Sequence, residues 1–98
     1  MYYAIICEDQ EDSLSKRTIS RPAHLKRLYE LEKQNRILIA GPYPAVDNED
    51  PGEKGFTGSL IVAKFDSLKH AEQWAKEDPY SDAGVYKTVI VKPFKKVF

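Results

Sequence analysis

Two stretches of this chain, Tyr2–Cys7 and Ile37–Ala40, are apolar at every position rather than at every second one. Side chains alternate between the faces of a strand, so an unbroken apolar run predicts a strand buried on both faces. That is a severe demand on 98 residues, because a chain of this length builds one small core and has few elements to cover a sheet. Two further runs read as strands, Leu60–Phe65 and Tyr86–Val91, the second ended or edged by Pro93. Two stretches read as helices. The first opens at Ser20-Arg21-Pro22, where Ser20 or Arg21 caps and Pro22 fits a first turn, and it runs to about Asn35. The second is capped by Ser67 and carries Leu68, Ala71, Trp74 and Ala75 on one face. It ends at Asp78-Pro79, because the residue before a proline is pushed out of helical conformation. The acidic stretch Glu8–Asp12, the segment Pro44–Gly55 and the turn Ser81–Gly84 read as loops, and Gly41-Pro42 stops the second strand.

The order β-α-β-β-α-β predicts an α+β, ferredoxin-like domain spanning residues 1–98. Right-handed crossovers place both helices on one face of an antiparallel sheet. In that topology Ser20–His24, Gly41-Pro42-Tyr43, Gly58-Ser59 and Asp78-Pro79-Tyr80 converge at one sheet edge, although they are far apart in sequence. The face without helices is then apolar over an area too large for a typical monomer. A second subunit packed sheet to sheet covers it, so the expected partner is a second copy: a homodimer, or a higher oligomer built on it.

Lys and Arg total 15, as do Asp and Glu, so the formal net charge is zero. A nucleic-acid binder needs a basic footprint that this chain lacks. Lys54–Phe65 echoes an RNA-recognition signature, but aliphatic residues and a serine stand where base-stacking aromatics are required. No polybasic excess or spanning apolar run points to a membrane. The single cysteine, Cys7, gives no internal disulfide and fits a reducing compartment. Met1–Ile6 has no basic region or cleavage pattern, so the expected location is cytoplasmic. The two histidines lack metal-ligand spacing, and Gly55–Gly58 lacks the strand-to-helix context of a phosphate loop. Neither a metal nor a cofactor is expected.

His24 falls between Leu28 and Leu31 on a helical wheel, so it points toward the covered side. Read as a first-turn residue, it feels a helix dipole that favours the neutral ring, while a neighbouring carboxylate favours the protonated one. Asp78 is ordinary turn chemistry by itself. Convergence with His24 gives it a second role, because a carboxylate beside a histidine fixes its tautomer. Ser20, Ser59, Gly41, Pro42 and Tyr80 gather at the same edge. Arg21, with Arg17 nearby and the free N–H groups of a helix start, suits an anion. Cys7 reads as core and His70 as surface.

Arg21-Pro22-Ala23-His24-Leu25, Gly41-Pro42, Gly58-Ser59, Asp78-Pro79-Tyr80 and Gly84-Val85 together resemble the YciI-like, YCII-related family over nearly the whole chain. The resemblance implies a dimeric α/β barrel in which two ferredoxin-like sheets face each other. It also implies an active site with a His–Asp pair, which maps onto His24 and Asp78. The family is similar to muconolactone isomerases, and some relatives dehydrochlorinate hydroxylated aromatic rings. The expected function is proton transfer, of isomerase or lyase type, on a small acidic or phenolic molecule. The alternative is a non-catalytic module that binds a small ligand in the same cleft. A haem-handling barrel needs an axial ligand on a strand, and neither histidine is on one.

Overall fold

The computed structural model describes residues 1–98. The elements run β1 (Tyr2–Asp9), α1 (Leu14–Lys33), β2 (Ile37–Pro44), β3 (Phe56–Lys64), α2 (Leu68–Lys76), α3 (Pro79–Asp82) and β4 (Tyr86–Phe94), with a 3₁₀ turn at Gly52–Lys54. The sheet order is β2-β3-β1-β4, and every neighbouring pair is antiparallel. β1 and β2 therefore run the same way with β3 between them. This is the ferredoxin-like α+β arrangement that the element order predicts.

The sheet's two faces divide the apolar runs between them. Tyr3, Ile5 and Cys7 of β1 and Ile61 and Ala63 of β3 form one core with Leu31 of α1 and Ala71 and Ala75 of α2. The alternate residues Ala4, Ile6, Leu60, Val62, Ile39 and Ile90 are cross-strand neighbours on the opposite face. There the central Ala4 and Val62 are buried, whereas Ile39 on one outer strand is 53% exposed and Ile90 on the other 48%, so the apolar pattern continues on the face without helices and is exposed at its flanks. The sheet edges are blunted by Pro42 and Pro44 on β2 and by Pro93 on β4, which cannot donate to an added strand. Exposed apolar side chains therefore lie on the face without helices, while prolines interrupt the edges. No helix is long and apolar enough to cross a membrane.

Several boundaries differ from the sequence reading. α1 begins at Leu14 and contains Pro22 in its interior, so Ser20 and Arg21 are helical residues and not caps. Pro22 removes one backbone bond, to the carbonyl of Thr18, and both residues are exposed, where solvent meets that carbonyl. The early start is secured by tertiary bonds from Ser13 and Arg17 to Asp9, which override the local proline signal. β1 accordingly reaches Asp9, inside the stretch expected to be a loop. β2 runs through Gly41-Pro42 to Pro44, because an edge strand tolerates proline. β3 starts at Phe56 rather than Leu60. α2 stops at Lys76, and Asp78 begins α3 as its N-cap, accepting from the Tyr80 N–H. The stretch expected as a turn at Ser81–Gly84 starts inside that short helix. β4 continues through Pro93 to Phe94.

Candidate active site

The site grows from two simple periodicities. Along β1 every second side chain faces the helices, so the row Tyr3, Ile5, Cys7 continues to Asp9. Along α1 the buried residues are Arg17, His24 and Leu31, spaced by seven, which is close to two helical turns and places them in one stripe. Asp9 and Arg17 meet where the row and the stripe meet. Arg17 Nε donates to Asp9 at 2.6 Å and Nη2 at 3.1 Å. Nη2 also donates to the Gly58 carbonyl and to Ser59 Oγ, each at 2.9 Å. Arginine has no acceptor, so Ser59 accepts here and its own hydroxyl hydrogen remains available to another partner. Gly58 is required: a Cβ there would lie 2.0 Å from the Cys7 carbonyl oxygen.

Seven residues further along α1, His24 Nδ1 lies 2.9 Å from both carboxylate oxygens of Asp78. His24 is 7% exposed and Asp78 2%. An ionised carboxylate only accepts, so Nδ1 carries the hydrogen, and in the neutral ring Nε2 holds a lone pair. No protein group bonds Nε2, and His24 lines an open cleft. Asp78 is itself fixed, since its Oδ1 accepts the Tyr80 N–H at 2.9 Å. The Tyr80 ring stacks on the imidazole with centroids 4.0 Å apart and planes 9° from parallel. Arg27 Nη1 approaches Asp78 Oδ2 at 3.6 Å.

The cleft holds about 190 Å³, the scale of one small molecule. Of the residues gathered by topology, His24, Arg21, Gly41, Pro42, Ser59 and Tyr80 line it. Asp78 stands behind His24, and Ser20 is not part of the lining. Leu25, Leu28, Ala40 and Ile61 supply apolar walls. The expected anion site at a helix start is corrected: α1 starts at Leu14, so residues 20–25 have no free helix-end N–H groups and His24 feels no N-terminal dipole. The cationic character of the cleft comes instead from side chains. Arg17 is closed by Asp9, whereas Arg21 has no carboxylate partner within ion-pair distance.

Burial sets the titration of the surrounding groups. It works against the charge on Arg17, yet the Asp9 bond and carboxylate hold that guanidinium above its ordinary value. Burial also raises Tyr80 and Tyr86, so both phenols stay protonated at neutral pH. The Cys7 thiol is pushed up to about 12, chiefly by burial, which removes it as a nucleophile. Iodoacetamide at pH 8 should therefore leave Cys7 unmodified in the folded protein and label it fully in denaturant. Rapid native labelling, followed by mass spectrometry, would contradict this placement of β1.

Sequence reasoning named Arg17 only as a neighbour of the expected helix start, and it missed Asp9 and Arg27. The signals for the first pair were present: Asp9 continues the inward row of β1, and Arg17 precedes His24 by seven. Nothing in the sequence pairs Arg27 with Asp78, because that contact joins the middle of α1 to a cap beyond α2.

Fold and site define a ferredoxin-like α+β protein with a buried His–Asp pair opening on a small cleft. Residues 1–95 match the YCII-related domain, and the chain belongs to that family. It is 58% identical to protein YciI of Escherichia coli O6:H1 and of Shigella flexneri, over the full length of both chains. It is 55% identical to an uncharacterized protein of Haemophilus influenzae, again over the whole of each chain. Among solved structures it is similar to TftG, the 5-chloro-2-hydroxyhydroquinone dehydrochlorinase of Burkholderia phenoliruptrix AC1100, in complex with 2,5-dihydroxybenzoquinone. That match has a TM-score of 0.84 and 27% identity, and it covers 97% of this chain and 94% of the other.

Proposed function

We propose that this chain is a cytoplasmic enzyme that moves a proton on a small, planar, acidic or phenolic molecule, with His24 as the base and Asp78 as its orienting partner. The observation that carries the reading is the Nδ1 contact to both Asp78 oxygens, which leaves Nε2 for the cleft. Nε2 takes a proton from the substrate. The electron pair left behind either expels a leaving group from the neighbouring carbon or is reprotonated at another carbon by the imidazolium. The first course is an elimination and the second an isomerisation, and both regenerate the neutral ring once the proton is passed on. Arg21 faces the developing oxyanion as an unpaired cation, and the Ser59 hydroxyl donates to it. The walls from Leu25, Leu28 and Ile61 suit a ring, with Tyr80 shaping the floor behind His24. The activity of the dehydrochlorinase neighbour supports this class of chemistry.

The test is turnover against a panel of chlorinated and unchlorinated hydroxyhydroquinones and of lactones, read by chloride release and absorbance. Saturable binding of 2,5-dihydroxybenzoquinone with no turnover of any member would favour the alternative, a non-catalytic ligand-binding module.

The working unit is a homodimer built through the open sheet face. The half-exposed Ile39 and Ile90 support this, as do the proline-blunted edges. Light scattering at micromolar concentration should give twice the chain mass. Ile90→Glu, which puts a charge in that face, should give the monomer mass with the circular dichroism of a folded chain. A monomeric wild-type protein would remove the dimer.

A further inference from the structure

The His24–Asp78 pair has a third member on α1. Arg27 follows His24 by three residues, nearly one turn. Its Nη1 stands 3.6 Å from Asp78 Oδ2, the oxygen that also lies 2.9 Å from His24 Nδ1. Contacts independent of Asp78 hold it there. Nη2 donates to the Trp74 carbonyl at 2.8 Å, and the guanidinium lies over the Trp74 ring, 4.3 Å from its centroid. The side chain is only 21% exposed. Nη1 is buried with no hydrogen-bond partner, a costly arrangement unless the nearby carboxylate compensates.

We infer that Arg27 is a positioning residue that balances the charge of Asp78, so that the carboxylate orients the His24 ring without holding it as an imidazolium. This rests on the reading of His24 as a base, since a base must be neutral before it takes a proton. An unopposed buried carboxylate favours the charged ring. A guanidinium is always charged, and its field at 3.6 Å opposes that preference. The other charged groups around the site do not supply this balance. Asp9 is closed by Arg17 at 2.6 Å, Arg21 faces the cleft, and the Tyr80 phenol is kept protonated by burial. Asp78 is the carboxylate beside the ring, and Arg27 is the cation that closes it. The excess positive charge is then left on Arg21, where an anionic substrate meets it.

The test is an NMR titration of the His24 ring protons in the wild-type protein, Arg27→Gln and Arg27→Lys. Glutamine keeps a donor for the Trp74 carbonyl and loses the charge. Lysine keeps the charge and loses the planar fork. The His24 midpoint should rise in Arg27→Gln and stay near the wild-type value in Arg27→Lys. Should Arg27→Gln fail to fold, Arg27→Met, whose chain still covers Trp74, is compared with Arg27→Lys in the same way. Equal midpoints in all folded proteins, or equal shifts in the charged and uncharged variants, would overturn the inference. The titration needs no turnover, so an inactive protein that shows the expected shift keeps the charge balance and loses only the catalytic reading.

Discussion

His24→Gln is expected to lower turnover of a hydroxyaromatic substrate by about 10²–10⁴-fold, the usual contribution of a positioned acid–base group. Glutamine has similar bulk and remains hydrogen-bonding, so the buried neighbourhood of Asp78 and Tyr80 keeps its shape. What disappears is a nitrogen able to take a proton and return it. Asp78→Asn should be nearly as damaging by a different route. The amide still caps α3 for the Tyr80 N–H, but it presents a donor as well as an acceptor to Nδ1. The ring hydrogen is then free to move to Nε2, and the lone pair leaves the cleft. In the proposed mechanism the two residues act as one unit, so the double variant should be little worse than either single variant. Steady-state rates for the three proteins decide this. Full activity in Asp78→Asn would show that orientation by the carboxylate is not needed.

The largest effect on stability is expected at Arg17. Its side chain is 7% exposed and that of its partner Asp9 only 1%. In Arg17→Met the methylene volume remains, but Asp9 keeps only the Ser13 hydroxyl at 2.7 Å. The Gly58 carbonyl and Ser59 Oγ also lose a donor. Removing one partner of a buried ion pair costs about 3–5 kcal/mol, a large share of the ~5–15 kcal/mol that holds a small domain together. Replacing both partners by apolar residues costs far less, because no charge is stranded. Asp9→Leu combined with Arg17→Met should therefore recover much of the loss. Urea unfolding at one fixed protein concentration measures both, since a dimer's stability depends on concentration. A loss below about 1 kcal/mol in Arg17→Met would place the pair among exposed surface bridges.

The fold was legible because hydrophobic period and element order are global signals. Four strand-like runs and two helical stretches leave few topologies, and right-handed crossovers select among them. The burial of His24 was legible for the same reason, through its spacing from Leu28 and Leu31. Local signals misled where tertiary bonds outweighed them. Pro22 reads as a first-turn residue, yet Arg17 and Ser13 anchor the chain to Asp9 and start the helix at Leu14. Glu8–Asp12 reads as a solvated loop by composition, although the alternation of β1 carries Asp9 inward. Gly41-Pro42 reads as a stop, but on an edge strand the missing N–H is not needed. The role of Arg27 could not be read at all, because its partners Trp74 and Asp78 flank a helix end far along the chain.

Nitrogen NMR of the His24 ring, in protein titrated with 2,5-dihydroxybenzoquinone, tests the proposed chemistry most directly. In the neutral ring the hydrogen should reside on Nδ1, facing Asp78, with Nε2 unprotonated. Ligand binding should then shift the Nε2 resonance strongly and leave the Nδ1–H bond in place. A hydrogen on Nε2, or a ligand that binds without moving either ring nitrogen, would show that His24 is a structural residue of the fold and not the base of an active site.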